Sequence, residues 1–487
     1  MIRAMKRIRM LIICILTLFL TLPALPAEAE SEQAEDLTEA FRFDFGTDPN
    51  TEKQILKDRK SYHSFRQGEA FTLTWDETVS DARLCISWQE PPKNVSVAQY
   101  AEDGTVLQSE TLVSHPDSVI LLLPDARSAV VTAGEEGMKV LFCAVYSPGE
   151  LPEPYHEWQE TPDHLDYLLI STHPDDDVLY LGSIVPTYGA EQGCVGTIVY
   201  VTCQNRVRAD EAENGAWAMG LRYRPVFLGM KDVYRPTAKA NRNAFPYEEL
   251  LVNIVRVYRR FHPVVVFAQD TNGEYGHWQH KLVSKAAREA FALAADPSFD
   301  PESAEQYGTW QVQKLYLHLF QKNKLTVDAH APLSFFDGKD AFEVASEAYK
   351  KHVSQQRYRF KVRRDDGAYA FNRFGMAEGV VPAGDDVFDC IDGRLLSNYV
   401  EPTPSPTEAP TPSPTEAPTP SPTPTIVPVT PAPAETTQKT APKPDAQDLR
   451  PLLWIGVVTA AAAAIVGVAA YFWKKRQIAK QPPDENA

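Results

Sequence analysis

The spacing of apolar positions changes partway along the chain. Between about residues 41 and 150, short runs such as FTLTW, RLCISW, VSVAQY, SVILLL, SAVVTA and KVLFCAVY show partial period-two alternation, with turn-formers between them. Such alternation predicts strands with one buried face, and Asp103-Gly104 between two runs is a hairpin signal. Seven or eight short strands here predict a small all-β sandwich or jelly roll. Its Trp75 and Trp88 could bind glycans if exposed, but alternation places them in the core about as easily as on the surface, and the preferred reading makes the module a structural partner of the domain C-terminal to it.

From about Leu165 the pattern becomes strand, helix, strand. DYLLIST (166–172), VGTIVYVT (195–202), PVFLG (225–229), VVVF (264–267) and KLYLHLF (314–320) read as buried strands. Helices are expected from Val178, over Ala209–Met219, over Glu248–Phe261, and from about His277 to Ala294. Alternation at these lengths predicts an α/β domain over 160–397, with a Rossmann-like, doubly wound, mostly parallel sheet. Ligands of such sheets sit at the carboxyl ends of the strands near the switch point, and the polar clusters of this sequence fall there.

Both ends carry a different pattern. Arg3, Lys6, Arg7 and Arg9 precede an apolar run from Met10 to Leu22, closed by Ala27-Glu28-Ala29; residues 1–29 therefore read as a secretory signal peptide. Leu452 to Trp473 is uncharged, ~33 Å long as a helix, and is followed by Lys474-Lys475-Arg476. The reading is a transmembrane helix over 452–473 and a cytoplasmic tail over 474–487. Between them, 401–448 is a near-repeat of PTPSPTEA, which predicts an extended stalk. Together these ends predict an exported, single-pass membrane protein with its globular part outside, anchored by its C-terminus.

Composition narrows the choice. With 48 basic against 65 acidic residues the net charge is -17, which argues against a nucleic-acid partner. Hydrophobic residues at 44% suffice for globular cores, and 15 of the 39 prolines fall within the stalk. The six cysteines include no CxxC pair; a Cys85–Cys143 bridge and two buried thiols are both open, the thiols being favoured.

Two clusters carry candidate chemistry. His173-Pro174-Asp175-Asp176-Asp177 follows the first α/β strand, and Asp270-Thr-Asn-Gly-Glu-Tyr-Gly-His-Trp-Gln-His280 follows the fourth. Singly each is ambiguous: the aspartates could cap a helix, and an isolated HxxH is weak. Together, if both strands share a parallel sheet, their loops emerge at one end. One imidazole and one carboxylate from the first loop and one imidazole from the second make a 2-His-1-carboxylate site with open positions. That donor set suits catalytic zinc, and also iron(II). A further carboxylate beside it could serve as general base, and a second histidine could stabilise an oxyanion.

At these residues the sequence resembles the PIG-L or LmbE-like family of metal-dependent N-acetylglucosaminyl deacetylases. STHPDDD is similar to its AHPDDE loop, GEYGHWQH to its GxxGHxDH segment, and Arg208-Ala-Asp-Glu211 with Met219-Gly220 to its R-x-x-E…L-G helix. The resemblance spans roughly 165–395, including KKHVSQQ (350–356). It implies His173, Asp176 and His280 as metal ligands and Asp175 as the general base. His277 would assist at the oxyanion or leaving amine, and Tyr275 would polarise the amide carbonyl. Arg208 would hold the sugar, with His352 a further substrate contact. The implied cofactor is zinc, or iron(II), and the implied reaction removes the N-acetyl group of an N-acetylated sugar. Two positions depart: Asp177 replaces a Glu, and Gln279 replaces an Asp whose charge would raise the pKa of His277. His115-Pro116-Asp117 reads as a turn and His318 as structural.

Three functions compete. The first is a surface-anchored deacetylase of a cell-wall, surface or other glycan. The second is a hydrolase of another amide at the same site. The third is a glycan-binding adhesin with an inactive deacetylase-like domain, against which the intact His173, Asp175, Asp176 and His280 argue. No P-loop, G-x-G-x-x-G or G-x-S-x-G is present.

Overall fold

The computed structural model describes residues 33–397 apart from 48–50, 52–53, 58, 77, 80, 204, 234–243 and 365–366. The expected signal peptide, stalk, membrane span and tail lie outside the described residues.

The N-terminal part is built from two antiparallel sheets. One has five strands in the order β1-β3-β8-β5-β6: Arg42–Asp44, Ala70–Thr74, Ser128–Thr132, Ser96–Tyr100 and Val106–Thr111. The other has four in the order β2-β9-β4-β7: His63–Phe65, Met138–Tyr146, Arg83–Trp88 and Asp117–Leu121. In β3, β5 and β8 every second residue is buried, so Phe71, Leu73, Val97 and Val131 face the core. β4 lacks alternation because both of its faces are covered. Leu84, Ile86 and Trp88 enter the main core, while Cys85 packs on the other side with Ala144, Tyr146, Leu151 and Tyr155. Trp75 and Trp88 are both core residues, which removes them as glycan contacts. Cys85 and Cys143 are free thiols in the two different clusters, so they lie on opposite faces of the sheet.

The second part is a seven-stranded mixed sheet in the order β12-β11-β10-β13-β14-β16-β15. Its strands are β10 (Leu165–Ser171), β11 (Gly196–Thr202), β12 (Val226–Met230), β13 (Pro263–Ala268), β14 (Lys314–His318), β15 (Lys324–Thr326) and β16 (Arg373–Gly379). The first five are mutually parallel, and β16 runs antiparallel to both β14 and β15. Every residue of β10, β11 and β13 is buried, as expected of strands covered on both faces. One face packs α1 (Asp176–Leu181), α2 (Arg206–Ala218) and α6 (Ala341–Tyr349) through Val178, Ala212, Ala216 and Ala345. The other packs α3 (Tyr247–Phe261) and α4 (Trp278–Leu293) through Leu250, Ile254, Val283 and Ala287. A short α5 (Pro301–Tyr307) follows α4. The chain steps from β10 outward to β11 and β12, then returns to place β13 on the other side of β10. That reversal opens a crevice at the carboxyl ends of β10 and β13.

An arginine joins the two parts. Arg206, first residue of α2, donates from Nη1 to the carbonyls of Trp88 (2.9 Å) and Pro116, and from Nη2 to the Asp117 carboxylate. Asp117 also accepts from the Ser87 hydroxyl at 2.6 Å. The chain bends at His115-Pro116 as expected, leads into β7 at Asp117, and there forms a docking point for α2.

Candidate metal centre

β10 and β13 are hydrogen-bonded neighbours in parallel register, Leu169 opposite Phe267. The loops after them therefore emerge side by side. After β10 the chain passes through His173 and Pro174 to Asp175, held at φ 117°, before α1 begins. A non-glycine residue there is strained by ~1–3 kcal/mol, a cost typical of functional loops. After β13, Gly273 at φ 65° and a one-turn helix over Glu274–Gly276 lead to His277, the N-cap of α4, and to His280 in its first turn.

Three atoms converge. His173 Nδ1 lies 2.9 Å from Asp176 Oδ2, His280 Nε2 lies 3.1 Å from the same oxygen, and the two nitrogens are 3.1 Å apart. The outer ring nitrogens fix the tautomers. His173 Nε2 faces Gln279 Oε1 at 3.2 Å and His280 Nδ1 faces Glu274 Oε2 at 2.6 Å, so both outer nitrogens are donors. The inner nitrogens then present lone pairs to each other and to a carboxylate oxygen. Such a triangle calls for a cation at its centre. Its edges are a few tenths of an ångström below the ~3.4 Å edge of a tetrahedron with ~2.1 Å bonds, so the donor set fits a metal ion. The ligand atoms of His173, His277 and His280 also lie within 4.8 Å of one another, so a three-histidine set is the alternative grouping.

The electrostatics match this geometry. Burial opposes charge on Asp176, yet His280 and His173 hold its carboxyl well below the usual range. Burial likewise opposes charge on His280, and Asp176 and Glu274 nevertheless carry it up to about 10: a proton occupies the place of a cation. Burial and then the Asp176 charge push Asp175 up to about 7, against Arg208 and His173. Arg208 of α2 donates from Nη2 to the Pro174 carbonyl and to Asp175 Oδ1 (3.1 Å). Its Nη1 is buried with no hydrogen-bond partner among the described residues, a donor left for a ligand.

The other expected residues divide. His277 packs edge-on to His173 (4.8 Å between ring centroids), and burial, then His173 and His280, lower its pKa to about 3. Tyr275 is 47% exposed at the mouth, its ring 5.7 Å from that of His277 and 5.8 Å from that of His280. His352 is fully buried beside Gly215 of α2, away from the open surface. Asp177 accepts a hydrogen bond from Tyr200 at 2.9 Å and faces the core. Gln279 touches His173, whereas the sequence points to His277.

Two participants are given no role by the sequence, although Glu274 lies within the GEYGHWQH segment. Glu274, fully buried, accepts from His280 and, at 2.6 Å, from His318 Nδ1, and its own backbone loop closes on it through Asp270 N (3.0 Å). Against its burial, these two histidines hold its pKa at about 2. Asp232 lies 3.6 Å from His173 Nε2 at the rim.

Residues 168–291 match the PIG-L family, described as GlcNAc-PI de-N-acetylase, and form a domain of that family. Among curated proteins, a 1D-myo-inositol 2-acetamido-2-deoxy-alpha-D-glucopyranoside deacetylase 1 of Catenulispora acidiphila is 31% identical over 179 residues, covering 31% of this chain and 54% of the relative. The deacetylase of the same description from Thermobifida fusca is 29% identical over 197 residues, covering 34% and 65%. The chain thus spans about half to two thirds of the length of these relatives. Among solved structures, the N,N'-diacetylchitobiose deacetylase of Pyrococcus horikoshii aligns at 20% identity and a TM-score of 0.31, over 44% of this chain and 76% of that one.

One expectation is corrected. Among the described residues no helix is long and apolar enough to cross a membrane. The longest, α4, is 16 residues or ~24 Å and carries Lys281, Lys285 and Arg288, against a bilayer core of ~30 Å. The matched relatives are described as deacetylases of an inositol glycoside. The exported, C-terminally anchored placement is withdrawn.

Proposed function

We propose that the protein is a metal-dependent hydrolase that removes the N-acetyl group from an N-acetylglucosamine-containing glycoside. The observation that carries this is the triangle of His173 Nδ1, Asp176 Oδ2 and His280 Nε2 beside the strained Asp175. Residues 160–397 are read as a Rossmann-like deacetylase domain and 41–150 as a β-sandwich accessory module. The relatives' descriptions supply the amide and the sugar.

His173, Asp176 and His280 would hold zinc or iron(II), and the ion would supply Lewis acidity to the amide carbonyl and to water. Asp175 takes the proton from the attacking water at its carboxylate, with Arg208 fixing that carboxylate from behind. A nearby dication would lower its pKa from about 7, keeping the base ionised at neutral pH. Asp175 hands that proton on to the leaving nitrogen, so that acetate and a free amine are the products, while His277, neutral at its lowered pKa, donates a hydrogen bond to the oxyanion. The Tyr275 hydroxyl donates to the carbonyl oxygen, and the free Nη1 of Arg208 is available to a sugar hydroxyl.

The test is acetate release from N-acetylglucosaminides, including the inositol glycoside and N,N'-diacetylchitobiose, with zinc and with a chelator. Release should require metal and fall ~10²–10⁴-fold in Asp175→Asn, while that variant binds metal as the parent does. Release that persists in Asp175→Asn, or in chelator, would remove the proposal.

A further inference from the structure

Between the N-terminal sheets and β12, the edge strand of the mixed sheet, lies a cleft of about 880 Å³. Its walls include none of the residues of the metal centre. Its size is that of a small-molecule site, and such sites favour the junctions of packed parts. His115, on the bend before β7, lines it from one side. Arg224, just before β12, and Arg260, in the last turn of α3, line it from the other, with Trp158 and Phe227 adding flat apolar wall. The three basic groups converge. Burial, then the charges of Arg224 and Arg260, lower the pKa of His115 to about 3, and no carboxylate opposes them.

The ordinary reading of such a cleft is a solvated seam. It fits poorly here, because this chain satisfies the cations it takes out of water. Arg259, one residue before Arg260, is fully buried and places all five N–H groups on the carbonyls of Leu293, Ala294, Asp296 and Asp300 and on the Ser303 hydroxyl. Lys314 sets its ammonium against the carbonyls of Ala383, Val387 and Asp389. Arg224 places one N–H on the Asp117 carbonyl at 3.1 Å and no other on a partner among the described residues. Yet burial, with Arg206, lowers its pKa in spite of Glu213 and Asp117, so its charge is withdrawn from water. Glu213 is no substitute: neither of its oxygens has a hydrogen-bond partner among the described residues, and burial pushes it up to about 7. Arg260 only lies over the ring of Phe261, at 4.8 Å. Of the carboxylates on the walls, Glu90 is paired with Lys139 and Glu157 with Arg83, while Glu110 and Glu160 are exposed to solvent. A guanidinium held out of water with its donors unused calls for an anion.

We propose that this cleft is a second binding site, for an organic phosphate or carboxylate whose charged group sits among His115, Arg224 and Arg260 and whose body lies against Trp158 and Phe227. Forked guanidinium donors suit either oxyanion, so the charge sets the class and the experiment distinguishes the two. The cleft is far larger than a bare ion, so the charge arrives with a molecule attached. The bound anion joins a side chain of the N-terminal part to two of the α/β part. The site is separate from the proposed reaction and stands or falls without it.

The test takes the full-length, zinc-loaded protein and three sugars without an N-acetyl group to hydrolyse: glucose, glucose 6-phosphate and glucuronate. By calorimetry one anionic sugar should bind ~10–100-fold more tightly than glucose, and the preference should fall ~10-fold or more in Arg224→Gln and in Arg260→Gln. Which sugar it is assigns phosphate or carboxylate. Arg260 is exposed, so its substitution probes the site without burdening the fold. Both variants keep the metal centre, so an anion held at zinc would bind them as it binds the parent. In proton NMR the His115 imidazole, assigned from His115→Gln, should rise in pKa when the anion is bound, because the anion offsets the two guanidinium charges. No binding of any of the three, equal affinity for glucose and the anionic sugars, anion binding unchanged in both variants, or a His115 resonance that the anion leaves unmoved would each overturn the site.

Discussion

Gln279 Oε1 accepts from His173 Nε2 at 3.2 Å, a bond that reaches from the first turn of α4 back to the loop after β10. The Gln279 amide is held in turn by the Lys231 carbonyl at 3.0 Å, so its orientation is fixed and with it the His173 tautomer. Gln279→Leu should therefore raise the metal dissociation constant ~10–100-fold, and Gln279→Glu should not. Competition with a chromophoric chelator measures this. Equal affinity in Gln279→Leu would mean that the bond does not orient the ligand.

Glu274 bridges His280 and His318 from full burial. Glu274→Gln offers an amide N–H where one imidazole N–H needs an acceptor. The expected loss is ~1–3 kcal/mol in urea unfolding, and it should persist in chelator, since the His318 bond does not involve metal. A loss seen only with metal bound would confine the role of Glu274 to the ligand His280.

Glu213 of α2 is fully buried, and neither carboxylate oxygen has a hydrogen-bond partner among the described residues. Burial pushes its pKa up to about 7, opposed by Arg224. The folded state thus holds a proton that the unfolded chain releases above ~4.5, and stability falls as pH rises from ~4.5 through about 7. Glu213→Gln should stabilise the protein at pH 8 by ~1–3 kcal/mol and leave it nearly unchanged at pH 5. Urea denaturation at the two pH values decides; equal effects at both would refute the assignment.

Burial acts oppositely on His156, lowering its pKa to about 4. Here the unfolded chain takes up a proton that the folded one refuses, so stability falls as pH drops from ~6.5 toward about 4. His156→Gln should reduce the slope of stability against pH in that window by up to one proton, ~1.4 kcal/mol per unit. An unchanged slope would place the acid sensitivity elsewhere.

Arg206→Ala would leave Asp117 buried without its cation, at a cost of ~3–5 kcal/mol. Arg206→Ala combined with Asp117→Ala should cost less than the sum of the single changes. Thermal unfolding of the four proteins closes that cycle, and strict additivity would show the pair to be uncoupled.

The central strands are legible in the sequence because burial on both faces leaves an uninterrupted apolar run; VVVF and DYLLIST fall within a residue of β13 and β10. Helix ends are nearly as clear: α4 runs Trp278–Leu293 where the pattern predicts His277 to Ala294. The β15–β16 pair is not legible, since three-residue Lys324–Thr326 has too few positions to display a period. At the site, the alternation of strands and helices brings the loops of His173 and His280 to one sheet end, whereas the choice of Asp176 among three aspartates comes from the family resemblance. Neither reveals Glu274–His318, whose partnership joins the turn after β13 to the end of β14, 44 residues apart. Nor can either assign Gln279, because a helix residue between two histidines points away from both, and its partner is set by the crossing of α4 over the first loop.

Arg206 and Arg208 stand two positions apart on the first turn of α2, the one gripping the β-sheet part and the other gripping Asp175. A boundary drawn near residue 160 would divide the polypeptide cleanly on paper and yet strip one anchor from the turn that steadies the proposed base. The β-sheet part thus buttresses, through Arg206, the same helical turn from which Arg208 holds Asp175.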